Sequence, residues 1–595
     1  MTSTNPLVSD ADVAFLLRDV HDVARLCTFP AFAEHNLESF ELFIGAARRL
    51  AREVLFPAYR AMDQEPPRFS PPHVALHPAM AGLFEHLVAH GAIVASRPVA
   101  VGGLSVPLVV TALSNLYLMA ANASAYAFAG LTTGAAHLLE AFGEPALQKA
   151  FMEPMYAGRW TGTMALTEPH AGSSLSDVTT RAVPQADGTY RMRGAKVFIS
   201  GGEQDLTENI VHLTLARIEG APPGIKGVSL FAIPKRRESA DGLVDNDVRC
   251  TGVFHKMGWK GIPSVALDFG ERDDCHGWLV GEAHKGISYM FQMMNEARIM
   301  VGMNGVATAS VAYHESLEYA RTRPQGRSFT ARDPRSPQVP IVEHPDVRRM
   351  LLRQKAIVEG AMSLVVATAY YADLAEHGPD EGERQKAALL LDLLTPVAKS
   401  FPAERGFESN ALAVQIHGGY GYTSEYLPEA WLRDQKLNSI HEGTTGIQSL
   451  DLLGRKVVAG QGAALRALGE ALAAARARAL AAGVEGPTVD ALGAAFTQVE
   501  EVSLHLAGLG LSGDVDGMLA HSADYLDAMG VLLIGWQWLL QVAALAETHR
   551  DDAFARGKRQ AAAYWFATEL PRIGHLTTLC RSVESSYLRV RPEEL

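Results

Sequence analysis

In the stretch NSIHEGTTGIQSL, residues 438–450, one carboxylate, Glu442, stands between a histidine and a glycine at the mouth of an apolar helix. Two chemistries fit it. In the first, Thr444 or Thr445 caps the helix and Glu442 is a solvated acid near its positive end. In the second, Glu442 is a general base on a turn, and Gly443 gives that turn room to place the carboxylate. Taken alone, the stretch reads better as the helix start. Other segments carry groups of the same interest. MALTEPHAGSSLSD (164–177) has hydroxyls, small residues and Gly172, which let backbone N–H groups approach a flat heterocycle or a phosphate. GAKVFISGG (194–202) puts Phe198 and Ser200 on one strand face. MMNEAR (293–298) and ARTRPQGR (320–327) supply arginines suited to phosphates, and QIHGGYGYTSEY (415–426) is rich in glycine and tyrosine.

The elements that must position these groups follow from pattern. Up to about residue 160 the chain is alanine- and leucine-rich with apolar positions three and four apart, and no strand signal is visible. From there to about 281, short β-type runs (YRMRGAKVFIS, IVHLTLARI, GVSLFAIPK, SVALDF) alternate with turns, as in a small barrel or sandwich. No crossover helices separate them, which argues against a parallel nucleotide-binding sheet. Helical spacing returns at about Ile287 and persists to about Val458. One helix is predicted to start at Pro345 and another to run through LLLDLLTPVAKSF into AERGFESNALAVQI. Residues 461–595 read as a further bundle of four helical stretches. In the first of them Leu465, Leu468, Leu472 and Leu480 fall on one face. The expected architecture is α+β: a helical section 1–160, a β-barrel domain 161–281, a four-helix bundle 282–460 and an appended helical domain 461–595.

Composition bounds the function. The 595 residues are 48% hydrophobic and 20% charged, as expected of a globular protein of several domains. A net charge of −13 disfavours nucleic acid as a partner. The four cysteines lack CxxC spacing and read as reduced thiols in a cytoplasmic protein, and MTSTNPLVSD lacks the order of a signal peptide. The most apolar run, VLLIGWQWLLQVAALA (531–546), is short of the roughly 20 residues of a membrane span and reads as a buried helix. No P-loop or Rossmann fingerprint occurs. His86 and His90 lie four apart, but EHLVAH is not HExxH and reads as an ordinary helix face.

Over residues 40–460 the order and wording of these segments resemble the acyl-CoA dehydrogenase family. TEPHAGSS is similar to its flavin loop, GAKVFISGG to its following strand, and QIHGGYGYTSEYLPEAWLRDQKLNSIHEGTTGIQ to its long C-terminal signature. The added section 461–595 resembles a long subgroup. The resemblance implies an FAD-dependent enzyme that oxidises the Cα–Cβ bond of an acyl-CoA thioester and passes electrons to an electron-transferring flavoprotein. It implies Glu442 as the α-proton base, with its backbone N–H helping to hold the thioester carbonyl. Met164, Leu166, Thr167, Phe198 and Ser200 would line the isoalloxazine. Arg323, Gln415, Gly418, Gly419 and Thr444 would hold the diphosphate and adenosine. Ser173 and Gly443 would touch the substrate, and Arg298 would meet the CoA phosphates. A homodimer or dimer of dimers is implied, with no metal.

Set in this order, the segments turn the reading of Glu442 to the base. A weak free carboxylate, with no cation near it in the sequence, would gain strength when an acyl chain shuts out water. Departures from the family pattern are His170 in the loop, Gly326, His441 and Gly446. The competing readings are a DNA-associated flavoprotein of the same fold, which the net acidic 461–595 section opposes, and an acyl-CoA oxidase.

Overall fold

The computed structural model describes residues 5–595 except 331, 332 and 583, and leaves the side chains of 291–294, the last two of which begin the MMNEAR segment, outside the described residues. The chain divides into two compact units: Met1–Ser39, Pro107–Leu116 and Arg298–Leu595 form one, and Phe40–Val106 and Tyr117–Ala297 the other.

The second unit holds the sheet. Its strand order is Val248–Val253, Ser264–Phe269, Tyr190–Ser200, His276–Leu279, Val228–Pro234, Ile210–Ile218 and Thr161–Ala165, and Arg181–Pro184 pairs with both Tyr190–Ser200 and Ile210–Ile218. That double pairing curls the sheet into a barrel-like layer. Pairing is antiparallel except where Thr161–Ala165 and Arg181–Ala182 run parallel to Ile210–Ile218. The long strand Tyr190–Ser200 is the spine: Ser200 faces Ser264 and Gly194 faces Phe269 in one ladder, and Arg191 faces His276 in another. Ala182, Met192, Phe231, Ile233, Leu267 and Phe269 fill the interior. All four runs expected as strands coincide with a strand or contain one whole: YRMRGAKVFIS, IVHLTLARI and SVALDF coincide, and GVSLFAIPK contains Val228–Pro234. The absence of strands before residue 160 is corrected, because Arg68–Ser70 pairs with His73–Ala75 in a short antiparallel ribbon. Three residues a side are too few to show a period.

Three long helices make up much of the first unit, which the first of them enters at Arg298. Gly286–Thr322 has 37 residues, Pro345–His377 has 33 with Pro345 in its first turn, and Glu381–His417 has 37. The last starts where Asp380 accepts a hydrogen bond from the Glu383 N–H at 2.8 Å, with Glu381 and Glu383 adding negative charge to the positive helix end. Pro396 and Pro402 lie inside it. Proline withholds a backbone donor, and the Pro402 carbonyl accepts from Gln435 Nε2 at 2.8 Å. Gly302 decides how closely Gly286–Thr322 approaches this helix, since a Cβ there would overlap the Ala398 carbonyl.

The appended helices are Ala463–Ala481, Gly486–Leu511, Ser522–Glu547, Ala553–Tyr564 and Arg572–Ser582. Leu465, Leu468 and Leu472 are buried, but Leu480 is 53% exposed, because the buried face continues through Ala475 and Ala479 and leaves Leu480 beside it. The apolar run 531–546 belongs to a 26-residue helix, longer than its composition suggested. By length and composition this helix, Leu108–Phe142 and Pro345–His377 could each cross a membrane, yet 83–89% of their most apolar windows are buried inside the protein. Trp538 and Trp536 in that helix are core residues.

Candidate active site

The loop after Thr161–Ala165 is held from beneath by a buried ion pair. Glu168 Oε1 accepts from Lys196 Nζ at 2.9 Å, with the two side chains 1% and 0% exposed. Lys196 also donates to the Leu166 and Leu215 carbonyls at 3.0 and 2.8 Å. Both Glu168 oxygens take further bonds from the backbone N–H and hydroxyl groups of Thr179 and Thr180. Burial pushes the Glu168 carboxyl up, but Lys196 and the threonine donors outweigh it and hold the group well below the usual range. Burial pulls the Lys196 ammonium down to about 8 against the opposing pull of Glu168.

This pair sets the expected flavin contacts. The Val197 N–H donates to the Thr167 carbonyl at 2.9 Å, which brings the two motifs side by side. Met164, Leu166, Thr167 and Ser200 are half-buried, and Ser173 is exposed. Phe198 adopts a left-handed backbone (φ 59°), is 60% exposed and packs its ring 4.5 Å from that of Phe254. Among the described residues the Thr167 and Ser200 hydroxyls make no side-chain hydrogen bond. A broad aromatic beside half-buried apolar groups and uncommitted hydroxyls fits a flat, polar-edged heterocycle such as FAD's. His170 stays over the loop, its Nε2 3.2 Å from the Asp177 carbonyl and 3.7 Å from Glu168 Oε2.

The base candidate lies in the other unit. Glu442 has φ 53° and Gly443 φ 85°, two successive left-handed residues. Gly443 is the position that requires glycine, since a Cβ would also lie 2.7 Å from Gln448 Nε2. The turn is tied down through its carbonyls: Gln448 Nε2 donates to the Glu442 oxygen at 2.9 Å and Lys399 Nζ to the Gly443 oxygen at 2.8 Å. Thr444 is the cap of helix Thr445–Asp451, its hydroxyl accepting from the Ile447 N–H at 3.3 Å. The capping reading of this stretch therefore holds for Thr444 and leaves Glu442 outside the helix. Asn304 Nδ2 donates to Asn438 Oδ1 at 2.8 Å, anchoring the approach to the turn.

The expectation that Glu442 stands apart from any cation is corrected. Burial pushes its carboxyl up, and Lys399 and then Arg298 oppose that shift. Both cations are distant in sequence and are brought in by the close helix contact at Gly302 and Ala398. Arg298 is 2% exposed, and its Nη1 bonds to Asp451 Oδ2 at 2.6 Å. One nitrogen of its guanidinium makes an interior ion pair beside the turn, Nε and Nη2 are buried without a hydrogen-bond partner among the described residues, and none is presented at the surface to a CoA phosphate. Lys399 is fully buried, and burial lowers its ammonium to about 8 while Glu442 and Glu404 pull the other way. Burial, and then Lys399, lower His441 to about 3, so the imidazole beside the base is neutral. The Glu442 N–H makes no backbone hydrogen bond among the described residues.

Arg323, Gln415, Gly418 and Gly419 are exposed. The Arg323 guanidinium lies 5.8 Å from the Tyr420 ring centre, and Tyr319, one turn earlier, stacks on His417 at 4.2 Å. The structure thus brings Arg323 and the glycine-rich segment together, with His417 as their packing partner. Sequence reasoning passed over Lys399, Glu168 and Lys196. Glu168 lies in the TEPHAGSS loop and Lys196 in the GAKVFISGG strand, and nothing in either segment by itself marks the two as a buried pair.

The acyl-CoA dehydrogenase middle domain matches residues 163–271, the acyl-CoA dehydrogenase C-terminal domain 284–458, and the acetyl-CoA dehydrogenase C-terminal like domain 457–591. The chain belongs to the acyl-CoA dehydrogenase family, whose members are FAD-dependent oxidoreductases. It is 38% identical to 3-methylmercaptopropionyl-CoA dehydrogenase of Ruegeria pomeroyi over 92% of this chain and 93% of that one. It is 33% identical to the broad-specificity linear acyl-CoA dehydrogenase FadE5 of Mycobacterium tuberculosis over 97% and 98%. Caenorhabditis elegans ACDH-11 in complex with C11-CoA shares the fold, with a TM-score of 0.78 at 21% identity over 96% of this chain and 92% of that one.

Proposed function

We propose that the protein is an FAD-dependent acyl-CoA dehydrogenase that converts an acyl-CoA thioester to the 2,3-enoyl-CoA, with Glu442 as the α-proton base. The observation that carries this reading is the state of Glu442: a lone carboxylate on a left-handed backbone, raised by burial and fixed through its own and the next carbonyl. A non-glycine residue held at positive φ marks backbone strain of the kind kept at working sites. The carboxylate takes the α-proton and becomes neutral, which burial favours. The uncommitted Glu442 N–H is suited to accept the growing negative charge of the thioester oxygen, a contribution of about 3–4 kcal/mol by comparison with other oxyanion donors. Bound FAD would supply the hydride acceptor for the β-hydrogen. Met164, Leu166, Thr167, Phe198 and Ser200 would hold its ring, and Arg323, Gln415, Gly418, Gly419 and Thr444 its diphosphate and adenosine. Ser173 and Gly443 would border the substrate, and Arg298 is reassigned to the charge balance around the base.

Electron-transferring flavoprotein as the acceptor, a homodimer or dimer of dimers, a cytoplasmic site of action and the division at 160, 281 and 460 belong to the same reading. The relatives' substrates direct the test toward short thioether and linear acyl chains. Purified yellow protein is mixed anaerobically with butyryl-, octanoyl-, palmitoyl- and 3-methylmercaptopropionyl-CoA, and flavin absorbance is followed. Bleaching by at least one thioester is expected. Protein that carries FAD and is bleached by none of them would sink the reading, and peroxide release in air at the rate of bleaching would make it an oxidase.

A further inference from the structure

Lys399 is a buried ammonium whose only hydrogen bond among the described residues goes to a backbone oxygen, that of Gly443 at 2.8 Å. Burying a charge is costly unless it is paired, and a carbonyl alone is a poor partner. A neutral glutamine or methionine of similar length would fill the same space without that cost. The position one residue past Glu442 suggests what the charge does. Around it are Arg298 from helix Gly286–Thr322, Glu404 further along Lys399's own helix, Asp451 at the end of helix Thr445–Asp451, and His441 beside the base. Arg298 is committed to Asp451, Glu404 accepts from the Thr445 hydroxyl, and His441 is neutral. Lys399 is the cation among them without a carboxylate in direct contact, and Glu442 is the carboxylate without a direct partner.

We propose that Lys399 is a positioning residue for Glu442, fixing the turn through the Gly443 carbonyl and giving the carboxylate a positive neighbour that it does not touch. The inference rests on Glu442 being the base. A touching ammonium would hold the carboxylate ionised too firmly to accept a proton. A cation one residue away opposes the upward push of burial without cancelling it, and still lets an enclosing acyl chain raise the basicity further. The direct bond goes to the backbone, so the side chain keeps its freedom to meet the α-carbon.

The test uses the FAD-loaded full-length protein and the thioester that bleaches it fastest, with the rate of flavin reduction measured across pH. In Lys399→Gln, which can still donate to the Gly443 oxygen but carries no charge, the acid limb of the profile moves up by about one pH unit. In Lys399→Met the same shift appears with a plateau lower by about tenfold, because only Gln448 then holds the turn. Lys399→Arg keeps the limb at its original position, and it remains informative if the neutral variants do not fold. A limb unmoved in Lys399→Gln and Lys399→Met, or moved in Lys399→Arg as far as removal of a charge requires, overturns the proposal. Glu442→Gln is run beside them. If it reduces flavin at the original rate, the assignment of the base has failed. If it is inactive while the Lys399 limbs stay fixed, only the role of Lys399 has failed.

Discussion

Two buried lysines, Lys196 under the loop of the β-domain and Lys399 under the turn of the helical unit, are each drawn down to about 8 by burial, and each has a glutamate near it. The glutamates respond in opposite ways. Glu168, bonded to its lysine at 2.9 Å and to four threonine donors, is held well below the usual carboxylate range. Glu442, with no direct ion pair or side-chain hydrogen bond among the described residues, is pushed up. The ingredients are the same, and contact decides the outcome. A carboxylate that touches its cation becomes a structural rivet, and one held a residue away keeps an adjustable proton affinity.

Four experiments break or sharpen this contrast, and the first has the largest effect. Glu442→Gln should lower the rate of flavin reduction by about a thousandfold or more with FAD content unchanged, read by anaerobic stopped flow. Lys196→Met should cost about 3–5 kcal/mol of stability, since it strands Glu168 in the interior, and should lower FAD occupancy; denaturant unfolding and flavin absorbance check both. Gly443→Ala should cost about 1–2 kcal/mol from the left-handed backbone alone and should lower kcat more than KM, as seen in steady-state kinetics. The smallest effect concerns pH and the sign of stability. Glu168 has a lowered folded value, so its contribution is complete above about 4.3 and is lost as pH falls toward its folded value. Glu442 has a raised folded value, so its ionisation weakens the fold as pH rises through that value. Glu168→Gln should therefore flatten the acid limb of Tm against pH, and Glu442→Gln should raise Tm near neutrality by the equivalent of about 1 kcal/mol.

Much of the frame was legible in the chain because it repeats. Strands Tyr190–Ser200, Ile210–Ile218 and Ser264–Phe269 and the start at Pro345 each follow from a period or a fixed backbone angle. The ribbons Arg68–Ala75 and Arg236–Asp245 escaped because strands of three or four residues carry no period. Leu480 was misplaced because the seam follows Ala475 and Ala479, and small alanines do not advertise a buried face as leucine does. Arg298 read as a phosphate ligand because an arginine's partner cannot be seen along the chain, and Asp451 lies in another helix.

The sequence by itself determined the family, the order of helical and β sections and the identity of the lone acid, since these rest on residue types at fixed local spacing. Only the tertiary structure decided which charges surround that acid. Gly302 lets two helix backbones meet, and that contact carries Arg298 and Lys399 to Glu442. Proton affinity depends on distance and burial in space, and neither is written in the local pattern of a chain.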